Sequence, residues 1–349
     1  MSATVNTMKT LPFVSILLPV RNEARYIVQC LKAVADQDYP SERMEVLAVD
    51  GASDDGTYEL LQEWASQGSN RYVFQNPRKI VPVGLNILIP RSKGEIIIRV
   101  DGHCVIAPDY VSSCVRQLQS EGVDGVGGPM HTIGEDLVAQ VIALAMSSKF
   151  GVGNSSFRTE SGVTKLADTV PFPAYQRAII EKVGLYDEEL VRNQDDEYNY
   201  RIRETGGKVL LAEDVRSEYY SRGSFKKLWK QYFQYGFWKV RVLQKHPKQM
   251  SLRQFVPLLF VLAILLTLLL SLLFPWGWKA LLALLGLYLL ANLLASAATA
   301  SGKGGRKNLL LPLAFVIIHV GYGLGFLVGL FRFWNRWKDK KGKVPEWNR

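Results

Sequence analysis

From Tyr219 to Lys338 the chain contains no Asp or Glu, a run of 120 positions that holds 16 Lys/Arg. That absence excludes carboxylate catalysis and carboxylate metal binding from this half. Cysteine is scarce: Cys30, Cys104 and Cys114 are odd in number and lack metal-ligand spacing. They read as reduced thiols, not as a disulfide framework or a zinc site. The opening MSATVNTMKTLPFVS has no apolar stretch long enough for a signal peptide, which predicts a cytoplasmic body. No GxGxxG follows the first strand signal and no GxxxxGK[ST] occurs, which disfavours a dinucleotide fold and a P-loop. Q-x-x-R-W is also missing; the nearest stretch, FWNRW, lacks the Gln.

What is present divides in two. Residues 1–218 hold 22 Lys/Arg against 30 Asp/Glu, a net of −8. Residues 219–349 hold 20 against 2, a net of +18, giving the +10 of the whole chain. An acidic α/β body is joined to a basic, apolar module suited to a lipid surface. The predicted units are an N-terminal arm (1–12), an α/β body (13–218), a basic amphipathic region (219–253), a membrane module (254–331) and a basic tail (332–349).

Three apolar stretches, about 255–274, 279–300 and 309–331, are each long enough for a hydrocarbon core of ~30 Å. The first two are separated by PWGWK, the signature of a tight hairpin with Trp at the interface. The basic residues between Arg222 and Arg253, and Lys303, Arg306 and Lys307, place both flanks of that hairpin in the cytoplasm. If the third stretch spans, the basic tail falls on the wrong side; the glycines of HVGYGLGFLVGL allow a re-entrant segment instead. His319 within it is either a functional group or a neutral histidine bonded between helices. In SFKKLWKQYFQYGFWKVRVLQK, Phe225, Leu228, Trp229, Tyr232, Phe233, Phe237 and Val240 recur at helical spacing, flanked by Lys226, Lys227, Lys230, Lys239 and Arg241. The pattern predicts an interfacial helix drawn to anionic headgroups, with packing on the body as the alternative.

In the body, strand runs alternate with helical ones: FVSILLP, VLAVD, RYVF and EIIIRVD. They predict a largely parallel sheet covered on both faces, with ligands bound beyond the strands' carboxyl ends. Those ends carry Asn22 and Glu23, Asp50, and Asp101 with His103. DGASDDGT and DGH taken singly are ordinary turn chemistry, so only their convergence points to a site. Asp195, Asp196 and Glu197 open a further helix, where acids also suit the helix dipole. Glu197 and Arg201, four apart, form a structural pair.

Taken in order, VSILLPVRNEARYI, VLAVDGASDDGT, GLNILIPRSKGEIIIRVDGH and VGLYDEELVRNQDDEYNYRIRETGGKV resemble the strand, turn, D-x-D and catalytic-base segments of glycosyltransferase family two. The resemblance covers about residues 13–216 and implies a GT-A fold and an inverting transfer from a nucleotide sugar. It places Pro19, Asn22, Glu23 and Asp50 at the nucleotide. Asp101 falls on the metal motif and Asp195 on the base. Phe172, Tyr175, Arg177 and Gln194 fall at acceptor positions, and Pro129–His131 is a further contributor to acceptor contacts. The chain departs from the pattern at His103, Gln194 and Gly51. His103 replaces the second motif Asp and favours Mn²⁺ over Mg²⁺ as the divalent cation. The Asp-Gly-His variant followed by spans is similar to the bacterial succinoglycan glucosyltransferase branch.

These expectations describe a multi-pass protein of a bacterial inner membrane. Its donor is a UDP-sugar and its acceptor a polyprenyl-diphosphate-linked saccharide; anionic lipids are partners and nucleic acid is not. Transfer to a bare polyprenyl phosphate is an alternative, as is a non-catalytic scaffold with a decayed fold, which His103 and Gln194 would favour.

Overall fold

The computed structural model describes residues 11–160, 162–221, 223–300 and 307–347. Most of the predicted arm, together with Arg222, Lys303 and Arg306, lies outside them. In the body, β1 (Val14–Val20), β2 (Met44–Asp50), β3 (Arg71–Gln75) and β4 (Ile96–Arg99) are parallel, in the order β3-β2-β1-β4. They are connected by α1 (Ile27–Ala35), α2 (Thr57–Ser66) and α3 (Val81–Leu88). Then come β5 (Cys104–Ile106), α4 (Tyr110–Ser120), β6 (Gly125–Gly127), β7 (Met130–Ile133), α5 (Leu137–Met146), α6 (Lys149–Val152), α7 (Ser156–Thr159) and β8 (Lys165–Leu166). The body closes with β9 (Ala174–Gln176), α8 (Arg177–Val183), α9 (Gln194–Glu204), β10 (Val209–Leu211) and β11 (Ser217–Tyr220). The main sheet continues from β4 through β9, β6 and β10 to β8, with β9 antiparallel to both its neighbours. A small sheet, β5-β11-β7, stands beside it.

Every residue of β1 and β2 is buried, as expected of strands covered on both faces. The pleat sends Val14, Ile16 and Leu18 to one core with α1 and α4, and Leu17, Leu47 and Val49 to another with α3, α8 and α9. Among the buried polar residues of these strands, Ser15 donates to Glu45 at 2.6 Å and accepts from the Gly94 amide at 2.7 Å. Helix α9 is thereby fixed on the second face by Tyr198 and Ile202.

After the body come α10 (Phe225–Lys245), α11 (Val256–Leu273), α12 (Gly277–Ala300) and α13 (Lys307–Arg332), the last three long and apolar enough to cross a membrane. Helices α10 and α13 run in the same direction in backbone contact. A Cβ on Gly236 would lie 2.0 Å from the Tyr322 carbonyl oxygen, and one on Gly325 would lie 2.0 Å from that of Phe233. Glycine at both places permits this approach. The first half of α13 packs Leu311, Ala314 and Phe315 on Val141, Ile142 and Met146 of α5. His319 is the bonded histidine of the two readings, with Nδ1 3.0 Å from the Tyr288 hydroxyl and Nε2 2.8 Å from the Phe150 carbonyl. Beyond α13, Arg336 pairs with Glu189, the Lys343 amide donates to Asp187 at 2.8 Å, and the Glu188 amide donates to the Lys343 carbonyl at 3.0 Å. Both ends of α13 therefore rest on the body.

Two features differ from the sequence-based expectation. The apolar face of α10 is covered mainly by α13 and α5, which bury Leu228, Tyr232 and Val240. Of its cations, Lys226, Lys227 and Lys230 are exposed, but Lys239 and Arg241 are buried against Asp196 and Glu189. Local spacing groups these cations on one flank, whereas distant carboxylates select which of them stay in water. The hairpin α11–α12 is the part left open, with Leu272 85% and Leu287 69% exposed and Trp276 and Trp278 at its turn.

Candidate active site

The carboxyl ends of β1, β2 and β4 converge as their sequence predicts. Asn22, in the left-handed region at φ 55°, ties the first loop to the second. Its amide nitrogen donates to Ser53 Oγ at 2.9 Å, its side chain donates to Asp54 at 2.8 Å, and it accepts from the Asp54 amide at 3.1 Å. Asp50 is buried and turned into its own loop, accepting from the Ser53 amide at 3.0 Å and the Ser53 hydroxyl at 2.5 Å. Pro19 is buried within β1, beside Val49 in the strand register. The side chain of Glu23 reaches the third strand end, with Oε1 2.8 Å from His103 Nδ1.

Arg99 organises the site's charge. Its guanidinium is buried; Nε and Nη2 each lie 2.9 Å from Asp101 Oδ1, and Nη1 pairs with Asp195 Oδ1. One cation thus spans the β4 end and the first turn of α9. Desolvation pushes the Asp195 carboxyl above the ordinary carboxylate value; Arg99 pulls it down and Asp101 pushes it further up. Among the described residues Asp195 Oδ2 has only the Gln194 amide at 3.4 Å, and 36% of the side chain is open. Arg99 went unread in the sequence. Its signal was the one cation in the run EIIIRVD, two positions before Asp101 and so on the same side of an extended chain.

The donors beside Arg99 suit a divalent cation in a limited way. Asp101 Oδ2 makes no hydrogen bond among the described residues, and the buried His103 ring completes no aligned hydrogen bond despite the closeness of Glu23. The ring packs edge-on to Tyr219 at 4.8 Å between centroids. Among the described residues no three His, Cys, Asp or Glu form a ready metal cage. Asp101 and His103 are two donors that could hold a divalent cation, and two donors leave most of its coordination sphere to other ligands.

The acceptor candidates separate. Gln194 stands beside Asp195, and Phe172, at φ 42° and buried, stacks at 6.4 Å on Tyr219. Tyr175 is a core residue whose hydroxyl donates to Asn199 at 2.8 Å. Arg177 lies at the amino end of β4, donating to the Gly94 and Ser92 carbonyls at 2.6 and 2.8 Å. The antiparallel run of β9 carries Tyr175 under the sheet and Arg177 away from Asp101, so neither meets the cleft.

Residues 15–184 match the model of glycosyl transferase family 2. The chain is 28% identical over 331 residues to the succinoglycan biosynthesis protein ExoA of Rhizobium meliloti (strain 1021), covering 92% of this chain and 96% of that one. It is 29% identical over 241 residues to a dolichyl N-acetyl-alpha-D-glucosaminyl phosphate 3-beta-D-2,3-diacetamido-2,3-dideoxy-beta-D-glucuronosyltransferase of Methanococcus voltae, covering 67% and 74%. Among solved structures, a mannosyltransferase of Pyrobaculum calidifontis in complex with GDP-Man and Mn²⁺ superposes with a TM-score of 0.56 at 19% identity, over 93% of this chain and 88% of that one. This likeness shows the fold, GT-A.

Proposed function

We propose that this chain is a glycosyltransferase of family 2, the family whose model it matches, and a membrane-bound inverting enzyme. It moves a sugar from a UDP-sugar to a polyprenyl-diphosphate-linked saccharide, forming a β-glycosidic bond in exopolysaccharide assembly. The observation that carries this reading is Asp195 held by Arg99 in one cleft with Asp101, its Oδ2 free to take a proton. The Rhizobium relative is named for succinoglycan biosynthesis, and the Methanococcus relative for transfer to a sugar already carried on a dolichyl phosphate. Both names support an acceptor that is a lipid-linked saccharide.

In this mechanism the loops at Asn22, Glu23 and Asp50 hold the nucleotide. A divalent cation, when bound by Asp101 and His103, supplies charge neutralisation for the diphosphate leaving group. Arg99 keeps its positive charge beside that diphosphate and fixes Asp195 Oδ1. Asp195 Oδ2 accepts the proton of the acceptor hydroxyl as its oxygen attacks the anomeric carbon. The bond to the nucleotide breaks on the opposite face, and its electron pair leaves with the diphosphate. Asp195→Asn should retain UDP binding while transfer falls by at least ~10²-fold; substantial turnover by that variant refutes the assignment. Incubating membranes with UDP- and GDP-sugars and weighing the lipid products separates the acceptors. An extended lipid-linked oligosaccharide supports this reading, and a lipid monophosphosugar supports transfer to bare polyprenyl phosphate.

In this reading the body lies on the cytoplasmic face of the bacterial inner membrane, and α11 and α12 enter the bilayer. Each is long enough to cross it. Helix α13, although also long and apolar enough, lies along α10 and the body and returns the tail to the side it left. The basic tail then obeys the positive-inside rule.

A further inference from the structure

The first turn of α9 is gripped from two sides. On one side Arg99 holds Asp195. On the other, α10 and the turn after it hold the residues around Asp195. Gln234 accepts from Arg192 at 3.1 Å, and the Tyr235 carbonyl accepts from Asn193 at 3.0 Å. Lys239 pairs with the Asp196 carboxylate, Gln249 donates to the Asp196 carbonyl at 2.7 Å, and His246 Nε2 lies 3.1 Å from Glu197. Asn193 sits in the left-handed region at φ 62° immediately before the helix, a conformation that Tyr235 helps to hold. Lys239 is buried, with 4% of its side chain exposed. A buried ion pair adds little net stability but fixes register.

We propose that Lys239 and Gln249 are positioning residues for transfer: they fix the side chain and backbone of Asp196 and thereby set the aim of Asp195 into the cleft. Successive side chains on a helix point about 100° apart. Asp195 therefore faces Arg99 while Asp196 faces α10, and the two grips together determine how the turn is rotated. The membrane module, packed on α10 through α13, becomes part of the catalytic geometry as well as an anchor. Donor binding, built from the β1, β2 and β4 loops, lies outside this grip.

The inference rests on Asp195 as the base, and the test separates the two. UDP affinity is measured by calorimetry, and kcat and KM are measured with the UDP-sugar that the wild type turns over. Lys239→Met should lower kcat by ~10- to 100-fold, the loss that follows from a misplacement of about 1 Å, with donor KM and UDP affinity within about twofold of wild type. Lys239→Arg should restore most of the lost kcat. Gln249→Ala, which removes only the hydrogen bond to the backbone, should lower kcat several-fold with the same unchanged KM. If Asp195→Asn is inactive while Lys239→Met and Gln249→Ala keep wild-type kcat, the positioning role is overturned and the base stands. If Asp195→Asn turns over, the base reading falls first. Where Lys239→Met loses UDP binding through misfolding, Gln249→Ala decides by the same kcat criterion.

Discussion

The two halves of the chain carry opposite charge, and they differ in where that charge is used. In the body, one set of carboxylates lies at the strand ends and another at the seam with residues 219–349. In those residues, the cations divide between water and that same seam. Asp187 and Glu189 meet Lys245, Glu189 also meets Arg241 and Arg336, and Asp196 meets Lys239. Lys245, Asp187 and Arg241 are almost entirely buried. The acid-poor half is therefore complementary to the α/β body, and of the α10 cations only Lys226, Lys227 and Lys230 are left exposed.

The largest effect that bears on this comparison is all-or-none. With the tail bound to the body, a Lys340→Cys variant in spheroplasts should resist a membrane-impermeant maleimide and should label fully in inverted vesicles. The three native cysteines are buried and give little background. Labelling from the outside would mean that α13 crosses the membrane and that the seam does not form. Next comes Lys245→Met, which strands Asp187 and Glu189 without their shared ammonium. Removing one partner of a buried pair costs ~3–5 kcal/mol, read as a lower midpoint in a detergent melt. An unchanged midpoint would show that the seam is not closed.

Acid provides a graded version of the same break. Burial pushes Glu189 up, but the hydrogen bonds and charges of Arg241 and Lys245 outweigh it and bring it down to about 2. Its folded pKa lies below its free value of 4.5. Its contribution is therefore complete above pH 4.5 and is lost as pH falls from there towards 2. The shift corresponds to about 3 kcal/mol, and in Glu189→Gln this part of the acid sensitivity should vanish. The smallest effect is at the lipid surface. Lys230→Gln should weaken binding to anionic vesicles by ~1 kcal/mol, with no change on neutral ones. An equal loss on both would assign Lys230 to the fold.

Much of this was legible in the chain itself. The runs VSILLPV and MEVLAVD became β1 and β2 because unbroken apolar segments need cover on both faces. The acids after them sit at the strand ends, and Asp195 does open a helix. The apolar stretches fall on α11, α12 and α13 to within a few residues. Other features had no local signal. Tyr175 and Arg177 looked like acceptor residues because they lie in a family segment, and the antiparallel turn of β9 moved both out of the cleft. Arg99 and Asp195 are 96 positions apart, and Lys239 and Asp196 are 43 apart.

The sequence alone determined the first four strands, the long apolar helices, the change of charge at residue 218 and the acids at the ends of the strands. Periods of two and 3.6 residues, and the distribution of charge along a chain, are local quantities. Tertiary structure alone decided which cation faces water and which faces a carboxylate. It also decided that the third apolar helix returns the tail to the body. Those choices depend on the energy of burying a charge beside a partner tens of residues away, and no local spacing records that partner.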